Sequence, residues 1–76
     1  MIKTKVNMDT ISNRIKRARI VAGMTQRDLS EATDRMLSNT AISKIEGGSR
    51  TVKAWELGKI AQALGIDPKQ LYEGSE

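Results

Sequence analysis

The sequence contains no cysteine, no histidine and no phenylalanine, and it has a single tryptophan, tyrosine and proline among its 76 residues. Without cysteine there is no disulfide framework, no thiolate nucleophile and no thiolate metal site. Without histidine the chain lacks the most frequent general base and the most frequent metal ligand. These absences argue against an enzyme, so we expect no catalytic residue, no metal and no cofactor.

Long apolar segments are also missing. The longest apolar run, at residues 20–22, ends at Gly23 and falls far short of the roughly 18 residues that a membrane span requires. The basic residues near Met1 are not followed by the apolar region of a signal peptide. A chain of this length forms one domain at most, with a thin core. We therefore expect a protein that is cytoplasmic or associated with the nucleoid.

Positive charge is concentrated near the N-terminus. The chain has 13 Lys and Arg against 9 Asp and Glu, for a net charge of +4. Residues 1–20 hold six of the basic side chains and one acidic side chain, whereas residues 21–50 hold four of each. A basic segment on a small domain is typical of a polyanion-binding protein, although it also promotes solubility. The scarcity of aromatic residues argues against a stacking platform for single-stranded nucleic acid.

Five segments have the apolar spacing and the terminal residues of short helices. Residues that favour helix starts precede all of them except the fourth, and glycine follows four of them. We therefore predict an all-α fold. The helices are predicted to begin after Asp9 or Thr10, at Gln26, at Asn39, near Val52 or Lys53 and after Asp67, with Gly23, Gly47, Gly65 and Gly74 beyond four of their ends.

Four further residues have individual interpretations. Gly58 lies inside the fourth helix, where it costs about 1 kcal/mol relative to alanine, and this predicts close packing at that position. Met24 and Met36 are interpreted as core residues that fill gaps. Trp55 lies beside the apolar stripe of the fourth helix and either packs partly on the domain surface or contacts a partner, since tryptophan is frequent in interfaces.

The first eight residues have a different pattern, because apolar and basic side chains alternate between residues 2 and 6. They form a frayed basic tail, a short strand that pairs with a partner subunit, or an arm that lies on DNA. We divide the chain into this N-terminal arm at 1–8, a helical domain at 9–74 and a tail at 75–76.

The second and third predicted helices, at 26–32 and 39–46, are too short to be stable alone and need support from the other helices. Two such helices joined by a tight turn are typical of a helix-turn-helix motif, whose second helix enters the DNA major groove. Asparagine can bond adenine, serine and threonine serve several bases, and lysine favours guanine or phosphate. A merely solvated helix face is the alternative, but such faces usually include acidic residues. The candidate base contacts, none of them acidic, are Ser38, Asn39, Thr40, Ser43 and Lys44.

Three linked motifs resemble one known family. Residues 24–31 read MTQRDLSE, residues 40–48 read TAISKIEGG, and residues 57–67 read LGKIAQALGID. In this order and spacing they resemble the Cro/C1-type (XRE) helix-turn-helix family of phage repressors and bacterial regulators, and the resemblance covers about residues 10–73. It implies a compact five-helix lambda-repressor-like domain, encoded by a bacterium or a phage, that binds double-stranded DNA as a homodimer and represses transcription by occupying an operator.

The resemblance also implies roles for individual residues. The positions that match the family's recognition helix coincide with the candidate base contacts, with Ser38 at the helix start. Gln26 matches a residue that binds a phosphate and buttresses Asn39. Arg19 and Glu46 match a buried structural ion pair between the first and third helices. The candidate phosphate contacts are Gln26, Arg27, Arg35, Arg50 and Lys53.

The chain departs from the family pattern at the turn between the second and third helices. Residues 34–38 replace the usual Gly-Val-Ser turn and make it two residues longer. We interpret Leu37 as the equivalent of the family's valine, and Arg35 with Met36 as the inserted residues. The insertion either tilts the recognition helix or places Arg35 on a phosphate. Lys53 occupies a position where the family often has a serine or threonine cap, so it weakens the helix start while adding a cation.

An antitoxin or another protein-interaction module is the alternative function, because such proteins use the same fold. A typical antitoxin adds a segment for its toxin, and residues 1–8 are the candidate for that segment in this sequence.

Overall fold

The computed structural model describes residues 11–72, which form five α-helices and contain no strand. The all-α prediction is therefore confirmed for this part of the chain. The predicted arm at 1–8, the caps proposed at Asp9 and Thr10, and the tail at 75–76 lie outside the described residues. The helices are α1 (Ile11–Val21), α2 (Gln26–Ala32), α3 (Asn39–Glu46), α4 (Ala54–Leu64) and α5 (Lys69–Tyr72).

All five helices contribute to one core. Helix α1 packs against α3, α4 and α5, and α2 packs against α3 and α4. This arrangement supports α2 and α3, which have only 7 and 8 residues and would not be stable in isolation. The buried apolar side chains are Ile15, Leu29, Leu37, Ile42, Ile45, Ile60, Ala61 and Leu71.

Side-chain caps define where α2 and α3 begin. The Asp28 N–H donates to Thr25 Oγ1 at 3.0 Å, and Thr25 N–H donates to Asp28 Oδ2 at 2.9 Å, which completes a capping box. Two hydrogen bonds with Thr25 lower the pKa of Asp28. The bond from the Thr25 backbone has the larger effect, and the bond with the Thr25 hydroxyl has the smaller one. At the start of α3, Ser38 Oγ accepts from the Ala41 N–H at 3.0 Å. Local hydrogen bonds thus fix the start of each of these two helices.

Two packing predictions are wrong. Met36 is 52% exposed, because the turn brings Leu37 into the core and leaves its neighbour outside. A Cβ atom at Gly58 would have no atom within 4 Å, so no close approach requires glycine there. Met24 is half-buried and packs against the core, while Trp55 is 50% exposed. No helix among residues 11–72 has the length and apolar character needed to cross a membrane.

Candidate nucleic-acid interface

Helix α3 has two faces that differ completely in exposure. At about 100° per residue, Ala41, Ile42, Ile45 and Glu46 fall within one arc of about 140°, and Asn39, Thr40, Ser43 and Lys44 fall within the opposite arc. The first four side chains are buried or half-buried, and the second four are exposed. We call the second group the exposed α3 face.

The exposed α3 face has free hydrogen-bonding capacity. Within residues 11–72, no hydrogen bond or ion pair engages the side chains of Asn39, Thr40, Ser43 or Lys44. Ser38 differs from them, since its hydroxyl oxygen is occupied in capping the helix, although its proton remains available for donation. The structure therefore brings four of the five candidate base contacts onto one open surface and gives the fifth a structural role.

A single carboxylate joins α1, α2 and α3. Arg19 donates to Glu46 through Nε at 2.7 Å and through Nη2 at 3.0 Å, and its Nη1 donates to the Met24 carbonyl at 2.7 Å. The hydrogen bond with Glu46 raises the pKa of Arg19 despite the opposing effect of burial. Gln26 Nε2 also donates to Glu46, at 3.1 Å. These bonds hold α3 in a defined orientation and engage Arg19 inside the fold.

The Gln26 contact differs from the one that the family resemblance implies. Its side-chain amide bonds Glu46 rather than Asn39, whose side chain has no partner among the described residues. Gln26 therefore helps to hold α3 in place through Glu46 and, among the described residues, does not bond Asn39. A contact between Gln26 and a phosphate stays a prediction.

The longer turn between α2 and α3 passes through two left-handed residues. Asp34 has φ 59° and Arg35 has φ 62°, a conformation that is unfavourable for most residues other than glycine, although aspartate adopts it more readily than arginine. Ser30 Oγ donates to the Leu37 carbonyl at 2.7 Å, and the Leu37 N–H donates to Thr33 Oγ1 at 3.3 Å. The extra residues are thus accommodated by a specific turn, which the side chains of Ser30 in α2 and Thr33 just after α2 hold in place.

The candidate phosphate contacts fall into two groups. Arg27, Arg35 and Lys53 are exposed. Arg50, by contrast, donates through Nη2 to Glu56 Oε2 at 2.6 Å, and its Nη1 is buried with no partner among the described residues. Much of the Arg50 guanidinium is therefore engaged inside the fold. The predicted contact between Arg50 and a phosphate would have to use the exposed part of this side chain.

Glu56 ties the start of α4 to Arg50. Glu56 is 1% exposed, and its carboxylate also accepts from the Lys53 N–H at 2.9 Å. Burial by itself raises the pKa of Glu56, but these hydrogen bonds and the nearby positive charges outweigh burial and lower it. Lys53 therefore starts the helix without a side-chain cap of its own, because Glu56 satisfies its backbone instead.

The sequence profile of a family described as "Helix-turn-helix domain" matches residues 12–76. The chain belongs to this helix-turn-helix family. Among solved structures it is similar to the restriction-modification controller protein C.AhdI from Aeromonas hydrophila, with 25% sequence identity and a TM-score of 0.78. The alignment covers 88% of this chain and 98% of C.AhdI. No curated protein matches the sequence significantly.

The family assignment identifies which helices form the helix-turn-helix motif. This helix-turn-helix protein is a DNA-binding transcription regulator of the XRE type, and α2 and α3 are the two helices of its motif. In this motif the second helix lies in the major groove with its N-terminal residues against base edges. The exposed α3 face is therefore the candidate surface for base recognition.

Three polar residues that organise the helix-turn-helix were missed by the sequence analysis. Ser30 and Thr33 hold the turn, and Glu56 caps α4. The position of Glu56 three residues after Lys53 is the spacing of a capping box and could have revealed its role. No comparable local signal identifies the two hydroxyls, because their partner is the backbone beyond a turn of unknown conformation.

Proposed function

We propose that this protein is a sequence-specific regulator that binds double-stranded DNA and represses transcription by occupying an operator. The observation that carries the proposal is the exposed α3 face, which presents four polar side chains without a partner among residues 11–72 and no acidic side chain. A charge-neutral or positive surface with short donors and acceptors suits the edges of bases in a major groove.

Each side chain on this face has a chemical role in the proposed complex. The Asn39 amide donates to and accepts from the edge of adenine, and Lys44 donates to guanine or to a phosphate. Thr40 and Ser43 bond base edges through hydroxyl groups that both donate and accept. The exposed cations Arg27, Arg35 and Lys53 bind backbone phosphates, which adds affinity without sequence information.

We further propose that two copies bind together. One helix of 8 residues reads only a few base pairs, and helix-turn-helix proteins extend their sites by binding as dimers to half-sites about one helical turn apart. The operator is then a pseudo-palindrome. The similarity to C.AhdI, a controller protein of a restriction-modification system, supports a role in controlling gene expression.

Selection of bound sequences from a random duplex library, at about 0.15 M salt, tests the proposal. We expect an enriched pseudo-palindromic site whose affinity exceeds that of unrelated duplexes by about a thousandfold or more. An affinity that falls equally steeply with salt for every duplex, without an enriched site, would reject sequence-specific regulation.

Repression is tested by placing the selected site over a reporter promoter in cells that produce the protein. We expect reporter expression to fall, and the same promoter with a scrambled site serves as the control. Increased expression would identify an activator instead. A second protein that co-purifies in fixed ratio, together with no enriched site in the selection, would favour the antitoxin-type function.

A further inference from the structure

We propose that Ser30 and Thr33 are positioning residues for base recognition, which set the sequence specificity of α3 without touching DNA. The inference rests on the proposed function, since it concerns how α3 is placed against the bases. It is carried by the hydrogen bonds that these two side chains make to the backbone just before the recognition helix.

Leu37 is the point at which α2 holds the start of α3. Its carbonyl accepts from Ser30 Oγ at 2.7 Å, and its N–H donates to Thr33 Oγ1 at 3.3 Å. Its side chain is also buried, at 2% exposure. Because Ser38 follows directly as the helix cap, any displacement of Leu37 is passed to Asn39, the first residue of α3.

Ser30 and Thr33 also take part in hydrogen bonds within the turn itself. Thr33 Oγ1 donates to the Ser30 carbonyl at 2.7 Å, and the Arg35 N–H donates to that carbonyl at 3.0 Å. Ser30 and Thr33 are themselves buried, at 7% and 2% exposure. Loss of either hydroxyl leaves a backbone group of Leu37 without its partner, which is costly in a buried position. The turn would then relax, and the start of α3 would move with it.

Such a movement affects base contacts and phosphate contacts differently. Asn39, Thr40 and Ser43 have short side chains that cannot follow a displaced helix, and hydrogen bonds weaken steeply with distance and angle. The long side chains of Arg27 and Lys53 adjust readily, and their attraction to phosphate falls slowly with distance. A shifted α3 therefore loses specific binding while it retains non-specific binding.

The test compares Ser30→Ala and Thr33→Val with the natural protein on two duplexes of equal length, the selected operator and an unrelated sequence. We expect operator affinity to fall by about tenfold or more, the equivalent of losing one base contact, while affinity for the unrelated duplex changes by less than about twofold. Thr33→Ser, which restores the hydroxyl, should recover most of the preference.

Leu71→Val on α5 is the control for stability, because it removes a buried methylene from a helix that packs against α1. All variants are assayed below their measured melting temperatures. If Ser30→Ala does not fold, Ser30→Cys keeps the volume with a weaker donor. A preference for the operator that is unchanged in the folded variants, or reduced equally in Leu71→Val, would overturn the inference. Failure of the proposed function would already be visible as a lack of preference in the natural protein.

Discussion

Arg19 and Glu46 lie 27 residues apart in the sequence and form a paired, two-bond contact in which Arg19 Nε lies 2.7 Å from Glu46 Oε2. Their side chains are 11% and 3% exposed. The pair connects α1 to the recognition helix and orients the carboxylate that also accepts from Gln26. The position of α3 thus depends on an interaction on the buried face of the helix, whereas the candidate recognition surface is the exposed α3 face.

Arg19→Met is expected to lower the free energy of unfolding by about 3 kcal/mol, because it leaves Glu46 buried without its cation. Urea denaturation followed by circular dichroism measures the change. The double variant Arg19→Met with Glu46→Leu should recover part of the loss, since an apolar pair of similar size can replace a buried ion pair. Additive losses in the double variant would show that the two side chains do not act as a pair.

The stability of the protein is expected to depend on pH through Glu56. Its pKa is lowered in the folded protein, whereas in the unfolded chain it lies near the ordinary value of about 4.3. Between these two pKa values the unfolded state binds more protons, so the free energy of unfolding rises with pH. The stability that Glu56 contributes is lost as the pH falls through its folded-state pKa. Asp28, whose pKa is also lowered, contributes in the same direction.

Urea denaturation at a series of pH values between about 6 and 2 measures this dependence. Glu56→Gln should be less stable at neutral pH and should show a shallower decline towards acid pH. Glu31→Gln, at an exposed position on α2, is the control. A decline as steep in Glu56→Gln as in the natural protein would contradict a contribution from Glu56.

Base contacts and phosphate contacts are expected to respond differently to truncation. Asn39→Ala should weaken operator binding by about 1–3 kcal/mol and relax the preference at particular bases. Arg27→Ala should weaken all duplexes alike and reduce the slope of log affinity against log salt by about one. Lys16→Ala, which removes an exposed cation on α1, controls for net charge. An unchanged base preference in Asn39→Ala would reject its role in recognition.

Local patterns in the sequence were sufficient to predict the helices and the candidate recognition surface. Thr25 with Asp28, and Ser38, are caps whose partners lie three residues away, so short-range spacing reveals them. The exposed α3 face follows from helical periodicity alone. The Arg19–Glu46 contact depends on how helices pack, and only the family resemblance suggested it.

The rest depends on tertiary structure that no local pattern records. Met36 and Leu37 are adjacent apolar residues, and which one is buried depends on the conformation of the turn, including two left-handed residues before them and the hydrogen bonds to Leu37. Gly58 suggests close packing because glycine is costly in a helix, but it lies on an open side of α4. Arg50 was predicted to bind phosphate, whereas its pairing with Glu56 follows from the fold of the loop before α4.

Arg35→Gly separates the two consequences of the longer turn, backbone strain and an exposed cation. The left-handed conformation at φ 62° costs an ordinary residue about 1–2 kcal/mol, partly offset by the greater unfolded-state entropy of glycine. We expect Arg35→Gly to raise the free energy of unfolding by up to about 1 kcal/mol, as measured in urea.

If Arg35 binds a phosphate, the same variant should also bind every duplex more weakly and lose about one unit of salt slope. Asp34→Gly, which changes the neighbouring left-handed residue without removing a cation, should alter the free energy of unfolding little, because aspartate tolerates this conformation, and should keep the full salt slope. Equal salt slopes in both variants and in the natural protein would show that the inserted residues alter the turn without contacting DNA.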